Sequence, residues 1–416
     1  MSQSSGPRAA KPWLWGLVAA AVIVAGAVVG VALRPAAREA RSAGGTGGGA
    51  ALHLNALHLN ISSCGERWGD GGSATAKGGA HRFTFVNGNT GDVEVQLQEV
   101  ASKKVYLEVD GVGPGATGTG SVVLGAGTYR LVCYPADADP VAGPEVEVGA
   151  APAGAQLTPG IVPVTTNDLI PVAKAYGTWV EGRLPGLQAE VRRLDADAQV
   201  GDLVAAKRDW LTAHLDYEGL GAAYGAFGDH DAAINGTPAP GRTSLDDPQL
   251  TGFHKIEALL WSGAPAGRVA PLTARLVSDV DALAADPRTD RIDPADIGVR
   301  AHEIVENAIQ FELTGETDAG SHTNLATIGA NLDGSQEALS ALTGLLASRY
   351  PQLADTEAAL AASQKLVEGY HRADGSWTPL GALSRAQRQQ LDASLDTAVE
   401  LLAPVAEITE PRKALS

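Results

Sequence analysis

The segment Gly252-Phe-His-Lys-Ile-Glu-Ala-Leu-Leu-Trp261 predicts a short amphipathic helix with a polar pair beside its apolar face. On a helix that turns by about 100° per residue, His254 and Glu257 lie about 60° apart. The apolar side chains fall on the adjoining side of the same wheel: Phe253, Ile256 and Leu260. A His and a Glu three residues apart can bind one metal ion, as they do in carboxylate-rich helical bundles. The segment therefore predicts a metal site at the edge of a helical core.

The sequence on both sides of this segment, from residue 166 to 406, is rich in Ala and Leu. Its apolar residues recur at helical spacing, and breaks are expected at Gly and Pro, which predicts an all-α domain of eight or more helices. Further candidate ligands occur before and after the central segment, and these are Glu218, Asp231, Glu306 and His322. Each alone has an ordinary explanation as a turn, a helix cap or a solvated face. An isolated HxxE is likewise more often a surface pair than a site.

Residues 52–150 alternate between apolar and polar side chains over short runs that are separated by Gly, Asn, Asp and Pro. This pattern predicts a β-sandwich of six to eight strands. Residues 151–165 are rich in Ala, Pro and Gly and predict a linker to the helical domain. The chain has two cysteines, Cys64 and Cys133, both in this N-terminal half. They could form a disulfide in an oxidising compartment or provide thiolates for a metal site.

Residues 12–33 form an uninterrupted apolar run with basic residues on both sides. At about 1.5 Å per residue, this run can cross a hydrocarbon core of about 30 Å. It is longer than the apolar region of a typical cleaved signal peptide, so it predicts a transmembrane signal anchor. Residues 1–11 would then form a cytoplasmic tail and residues 34–51 a flexible linker, which leaves the bulk of the chain periplasmic or extracellular.

The chain is strongly acidic. Its 416 residues carry a formal net charge of −17, although the N-terminal segment is basic. An acidic surface repels nucleic acid and attracts cations. Nucleic acid is therefore excluded as a partner.

Four motifs of the helical half together resemble those of the imelysin family, which is marked by a GxHxxE motif. They are DYEGLGAAYGAFGDHD, TGFHKIEALLW, LTGETDAGSHTNL and ANLDGSQ. The resemblance implies two helical bundles with a metal site between them. Glu218, His254 and Glu257 match family motif positions, while Asp231, Glu306 and His322 fall in similar blocks. The family often has a second Glu shortly after the position of Glu218, and this chain lacks it.

Cys133 lies in Gly127-Thr-Tyr-Arg-Leu-Val-Cys-Tyr-Pro135, which looks like the last strand of a cupredoxin. A blue-copper centre also needs two histidines and usually an axial methionine. Met1 is the only methionine, which argues against a blue-copper electron carrier. Cys64, Glu94 and Cys133 instead resemble the cupredoxin-like domain of EfeO-type iron-uptake proteins. That resemblance implies a copper or other metal site, and a Cys64–Cys133 disulfide is the alternative.

The order of the two domains resembles EfeO-type iron-uptake proteins as a whole. The resemblance implies a non-enzymatic protein that captures Fe²⁺ or Fe³⁺, with copper or zinc as alternative ions. It also implies an iron permease and a haem-peroxidase-like protein as partners. Two other functions remain open: a metal-dependent peptidase of the imelysin type, and a haem-binding module with His254 as axial ligand. Zinc peptidases of the usual helical kind carry HExxH, whereas Lys255 follows His254 here.

Overall fold

The computed structural model describes residues 53–60, 63–287 and 291–414. The predicted cytoplasmic tail, transmembrane segment and first linker, residues 1–51, lie outside these ranges. Among the described residues, no helix combines the length and the apolar character needed to cross a membrane.

The N-terminal half contains two β-sheets that share one hydrophobic core. One sheet has the strand order β1-β3-β6, and the other has the order β2-β9-β7-β4-β5 with β8 paired to β7. Phe83 and Phe85 from the first sheet pack with Val95 and Leu97 from the second. The strands are β1 His53–Leu59, β2 Thr75–Ala76, β3 Gly79–Asn87, β4 Val93–Glu99, β5 Val105–Val112, β6 Thr117–Leu124, β7 Gly127–Pro135, β8 Val141–Ala142 and β9 Val146–Val148.

The C-terminal half is helical, and the predicted order of a β region followed by a helical region is confirmed. Its described residues form ten α-helices around a second hydrophobic core. The helices are α1 Thr166–Val200, α2 Leu203–Glu218, α3 Tyr224–Phe227, α4 Asp229–Asn235, α5 Gly252–Trp261, α6 Ala266–Ala285, α7 Asp296–Asn307, α8 Asn324–Leu346, α9 Leu353–Glu368 and α10 Arg385–Thr409. A π-helical turn, Ala308–Glu312, continues α7.

Helix α1 continues through two prolines. Pro171 and Pro185 both lie within its 35 residues. Both are exposed, so their rings and the carbonyls they leave unpaired can face water. A proline therefore does not end this helix.

Helices α2 and α5 contact each other in the core next to their buried polar side chains. The Trp210 indole donates a hydrogen bond to the Phe253 carbonyl at 3.0 Å. The Trp210 ring also stacks on His214, with 4.7 Å between ring centroids. These contacts fix the rotation of α2 relative to α5 and direct His214 toward the first turn of α5.

Candidate metal centre

Three buried side chains from different parts of the helical half converge on one point. His214 comes from α2, His254 from α5 and Asp318 from the loop before α8. Each offers one ligand atom, and these atoms lie within 4.8 Å of one another. A cation that binds each ligand at about 2.1 Å needs ligand atoms about 3 to 4 Å apart. The three residues, here called the central trio, are therefore close to coordinating geometry.

The central trio contains buried polar atoms without a well-aligned hydrogen bond to the described residues. They are Asp318 Oδ1 and both ring nitrogens of His214. His214 Nδ1 lies 3.9 Å from Asp318 Oδ1, which is beyond hydrogen-bonding distance but within ion-pair range. An unsatisfied buried polar atom costs about 1 to 3 kcal/mol, and ion pairing offsets part of this cost here. A cation between these atoms would bind them directly, so the donor set fits a metal ion.

Asp318 is held firmly even though one of its oxygens is free. Its Oδ2 accepts hydrogen bonds from Thr327 Oγ1 at 2.6 Å and from Thr323 Oγ1 at 3.2 Å. Its backbone has a φ of 47°, a left-handed conformation that is uncommon for residues other than glycine. Side-chain and backbone constraints thus both orient Asp318 toward the imidazoles.

Glu218 follows His214 by one helical turn and forms an ion pair with it. Glu218 Oε1 lies 3.2 Å from His214 Nε2, close enough for charge attraction but not aligned as a hydrogen bond. The amides of Asn235 and Asn331 each donate to Glu218 at 2.7 Å. Burial opposes ionisation of Glu218, but His214 and the two amides outweigh it and lower its pKa to about 2. Burial opposes protonation of His214, yet Glu218 and Asp318 raise its pKa to about 9.

Glu257 ties α5 to the loop that carries Asp318. Its Oε1 accepts hydrogen bonds from the backbone N–H groups of Gly320 at 3.0 Å and Ser321 at 2.7 Å. Burial and the charge of Asp318 raise the pKa of Glu257, and the two N–H groups partly offset this rise. A Cβ on Gly320 would lie 3.3 Å from the same Glu257 oxygen, so a glycine allows this close approach.

Glu312 adds a third glutamate next to the central trio. It lies at the end of the π-helical turn, and π-helical turns often occur at functional sites. Asn324 donates to Glu312 Oε2 at 2.9 Å, and the Thr317 hydroxyl donates to Oε1. Burial and the neighbouring Asp318 raise the pKa of Glu312 to about 8. The central trio with Glu218, Glu257 and Glu312 is called the buried cluster below.

His254 lies between two cavities. A cavity of about 140 Å³ is bordered by His254, Glu218 and Glu312, and one of about 560 Å³ is bordered by His254, Glu257 and Asp318. Burial and the charge of His214 lower the pKa of His254, so its ring is neutral and able to bind a metal. The buried cluster can thus be reached through a cavity that is much larger than a water molecule.

Three candidate ligands from the sequence lie outside the buried cluster. Glu306 is exposed on α7 and lies 3.5 Å from His302 Nδ1. His322 is exposed in the loop after Asp318. Asp231 accepts a hydrogen bond from the Tyr217 hydroxyl at 2.7 Å, and its pKa is raised to about 6 by burial and by Glu218. The structure thus places Asp231 beside Glu218 and leaves Glu306 and His322 exposed, away from the buried cluster.

The predicted cysteine site of the β half is replaced by a disulfide. Cys64 and Cys133 are bonded, with a Cα–Cα distance of 5.5 Å. Disulfide sulfurs are not thiolates, and metal ligation by cysteine requires the thiolate. Glu94 precedes Val95, which is the register partner of Cys133, so Glu94 lies on the opposite face of the sheet. Its carboxylate instead clusters with Glu108 and Asp110.

Sequence reasoning missed three members of the buried cluster: His214, Glu312 and Asp318. His214 precedes Glu218 by four residues, which places both on one face of α2, and this HxxxE spacing could have indicated it. Asp318 lies four residues before His322 within a motif that had been singled out. Glu312 carries no comparable signal, because its position depends on the π-helical turn.

The helical half matches known proteins. Residues 172–405 match the family model described as imelysin, peptidase M75. An iron uptake system component EfeM from Pseudomonas syringae pv. syringae is 22% identical over 241 residues, which cover 56% of this chain and 82% of that protein. The Escherichia coli iron uptake system component EfeO is 25% identical over 230 residues, 55% of this chain and 61% of that protein.

A third relative is the Efem/EfeO family lipoprotein of Staphylococcus haemolyticus, which is 25% identical over 239 residues. This match covers 57% of the present chain and 83% of the relative. Because the family model covers more than half of the sequence, the chain belongs to the imelysin family.

Proposed function

We propose that this protein is an extracytoplasmic component of an iron-uptake system whose helical half captures an iron ion in the buried cluster. The observation that carries the proposal is the convergence of His214, His254 and Asp318, whose ligand atoms lie within 4.8 Å of one another. Among the described residues, Asp318 Oδ1 and His214 Nδ1 have no hydrogen-bond partner. Buried polar groups are normally hydrogen-bonded, so unsatisfied groups that converge on one point call for a ligand. The ionised carboxylate of Glu218 and the carboxylate of Asp318 favour a cation as this ligand.

The donor chemistry suits iron. Imidazole binds iron, copper, nickel and zinc, whereas carboxylates add the oxygen ligands that harder ions prefer. Two imidazoles with Asp318 and up to three glutamates can therefore serve Fe²⁺ or Fe³⁺ as well as zinc. The names of the relatives, iron uptake system components EfeM and EfeO, favour iron among these ions.

Iron is a cargo in this proposal. After capture, the ion passes to a membrane permease, and a haem-peroxidase-like protein belongs to the same system. The S. haemolyticus relative is named as a lipoprotein, and this name supports a membrane-associated position for the present chain. In this chain the apolar run at residues 12–33 would supply the attachment.

Peptidase activity has less support from the residues around His254. The helix carries no second histidine at the HExxH spacing, and Lys255 takes the place of the catalytic glutamate. Glu257 is bound to two backbone N–H groups of the neighbouring loop. These contacts fit a positioned metal ligand better than a mobile general base.

The decisive experiment compares ligand variants with matched exposed controls in the purified full chain. We expect His214→Gln and Asp318→Asn each to weaken Fe²⁺ binding by about 100-fold or more, because each removes a direct ligand. His322→Gln and Glu306→Gln make the same chemical changes at exposed positions and should leave the affinity unchanged. Anaerobic isothermal titration calorimetry measures all four. Equal affinity in His214→Gln and His322→Gln would refute the proposed site.

A further inference from the structure

Lys255 is a buried lysine that directly follows the proposed ligand His254 on α5. It is only 9% exposed. Its Nζ donates to three backbone carbonyls: Ser244 at 2.9 Å, Leu245 at 2.8 Å and Asp247 at 2.7 Å. Among the described residues its ammonium group has no ion pair. All three N–H donors are therefore used by one short stretch of backbone.

This arrangement holds a loop in place. A buried ammonium is costly unless hydrogen bonds replace its hydration, and hydrogen bonds to a charged group are stronger than those between neutral groups. The three carbonyls belong to residues 236–251, the connection between α4 and α5, here called the cap loop. Because the carbonyls converge on one cation, the cap loop cannot move from α5 without leaving the ammonium unsatisfied.

The Asp247 side chain also makes hydrogen bonds within the cap loop. Its two carboxylate oxygens accept from the backbone N–H groups of Ala239 and Gln249, each at 2.9 Å. Its backbone carbonyl is one of the three that bind Lys255. The Asp247 side chain thus fixes the conformation of the cap loop, and Lys255 binds the cap loop to α5.

The cap loop forms a wall of the 560 Å³ cavity. Residues 237–245 border the cavity on one side, while His254, Glu257 and Asp318 border it on the other. The wall and the ligand helix are therefore joined by the residue that directly follows His254. Movement of the cap loop would widen the path to the buried cluster.

We propose that Lys255 is a positioning residue that holds the cap loop over the buried cluster and thereby limits access to His254. The consequence for iron rests on the proposed function: capture and release of the ion require the cap loop to loosen from Lys255. Loops that close over a site commonly control the rate of entry and release. Lys255 sets this rate without being a ligand.

The first test needs no metal. Diethylpyrocarbonate transfers an ethoxycarbonyl group to the unprotonated nitrogen of an accessible imidazole and releases ethanol and carbon dioxide. Its reaction rate at His254, followed by mass spectrometry in the metal-free full chain, therefore reports access through the cavity. Lys255→Met keeps the aliphatic stem and removes the three hydrogen bonds, and we expect a rate increase of about tenfold or more. Lys207→Met is the matched control. The Lys207 ammonium lies 5.0 Å from the centroid of the Trp261 ring, which borders the same cavity, and within the described part of the chain it makes no hydrogen bond to a cap-loop carbonyl. A rate in Lys255→Met equal to that in Lys207→Met would overturn the proposal.

Asp247→Asn provides a second variant in which Lys255 remains. It removes one of the two acceptors for the cap-loop N–H groups, so we expect a smaller increase in His254 reactivity in the same direction. Hydrogen exchange of residues 236–251 should rise in both variants, while circular dichroism confirms that the helices remain folded. Increased exchange with unchanged His254 reactivity would show that the cap loop does not control access. Failure of the wild type to bind iron would refute the proposed function and leave these metal-free results standing.

Discussion

In the proposed metal site, a cation would displace protons from His214 and Glu312. The pKa of His214 is raised to about 9 and that of Glu312 to about 8, so both groups are protonated at pH 7. A metal ligand must be deprotonated, and binding therefore releases protons. The free energy of metal binding thus depends on pH through these two residues.

We expect the affinity for Fe²⁺ or Zn²⁺ to rise with pH from 6 to 8. Below both pKa values, protonation of His214 and Glu312 favours the metal-free cluster over the metal-bound cluster. This preference is lost as the pH rises through about 8 and then about 9. Displacement of one to two protons gives an increase of about 10- to 100-fold per pH unit. Calorimetry in two buffers with different ionisation enthalpies counts the released protons at pH 7. Release of no protons would contradict the assignment of His214 and Glu312 as ligands.

At the scale of residues, the sequence predicts ligands that belong to a motif and misses those placed by backbone geometry. Glu218, His254 and Glu257 were predicted, and the structure brings all three into the buried cluster. Asp318 was passed over in favour of His322, four residues later in the same motif. Both residues have a positive φ, and only the folded path of this loop turns Asp318 inward and leaves His322 exposed. Periodicity carries no information about such a loop.

At the scale of elements, the start of α5 depends on a glycine. Gly252 has a φ of 74°, and a Cβ there would lie 2.0 Å from the Ile234 carbonyl oxygen. No side chain fits at that distance, because the atom in the way is backbone. Gly252 thereby allows the first turn of α5, with His254, to lie against the end of α4.

Gly252→Ala should destabilise the fold by about 3 kcal/mol or more, since the left-handed φ alone costs about 1 to 2 kcal/mol and the clash adds to it. Gly263→Ala is the matched control, with a φ of 76° and open space around the added Cβ. It should cost about 1 kcal/mol, which is the conformational penalty alone. Urea unfolding followed by circular dichroism measures both. Equal losses in the two variants would mean that the backbone around Ile234 moves away at little cost.

Helices with regular apolar spacing could be predicted, but their irregularities could not. The helix of Gly252–Trp261 occurs where its periodicity placed it. The π-helical turn at Ala308–Glu312 looks in sequence like a plain continuation of α7. Glu312 lies in this irregular turn. Its position in the buried cluster therefore could not be predicted from the spacing of apolar residues.

At the scale of the whole molecule, the C-terminal segment links the helical half to the β half. Arg412 Nε lies 2.7 Å from Glu108 Oε2, and the Gln96 amide donates to the Lys413 carbonyl at 3.1 Å. Burial is the main factor that raises the pKa of Glu94, and the charges of Glu108 and Asp110 add to it. Contacts between residues so distant in sequence cannot be inferred from one chain, which is why the surroundings of Glu94 could not be predicted.

The Cys64–Cys133 disulfide stabilises the β half alone, because the two halves have separate hydrophobic cores. Its cysteines are 69 residues apart, and the entropy of closing such a loop in the unfolded chain corresponds to about 4 kcal/mol. We expect the Cys64→Ser/Cys133→Ser variant to lose about this much stability in the β half while its Fe²⁺ affinity stays unchanged. Hydrogen exchange of residues 63–148, followed by mass spectrometry in urea, reports unfolding of the β half with every tryptophan kept. A thiol assay on the denatured wild type should find no free thiol before reduction and two after it. Loss of iron binding in a double-serine variant with intact helices would show that the β half contributes to the site.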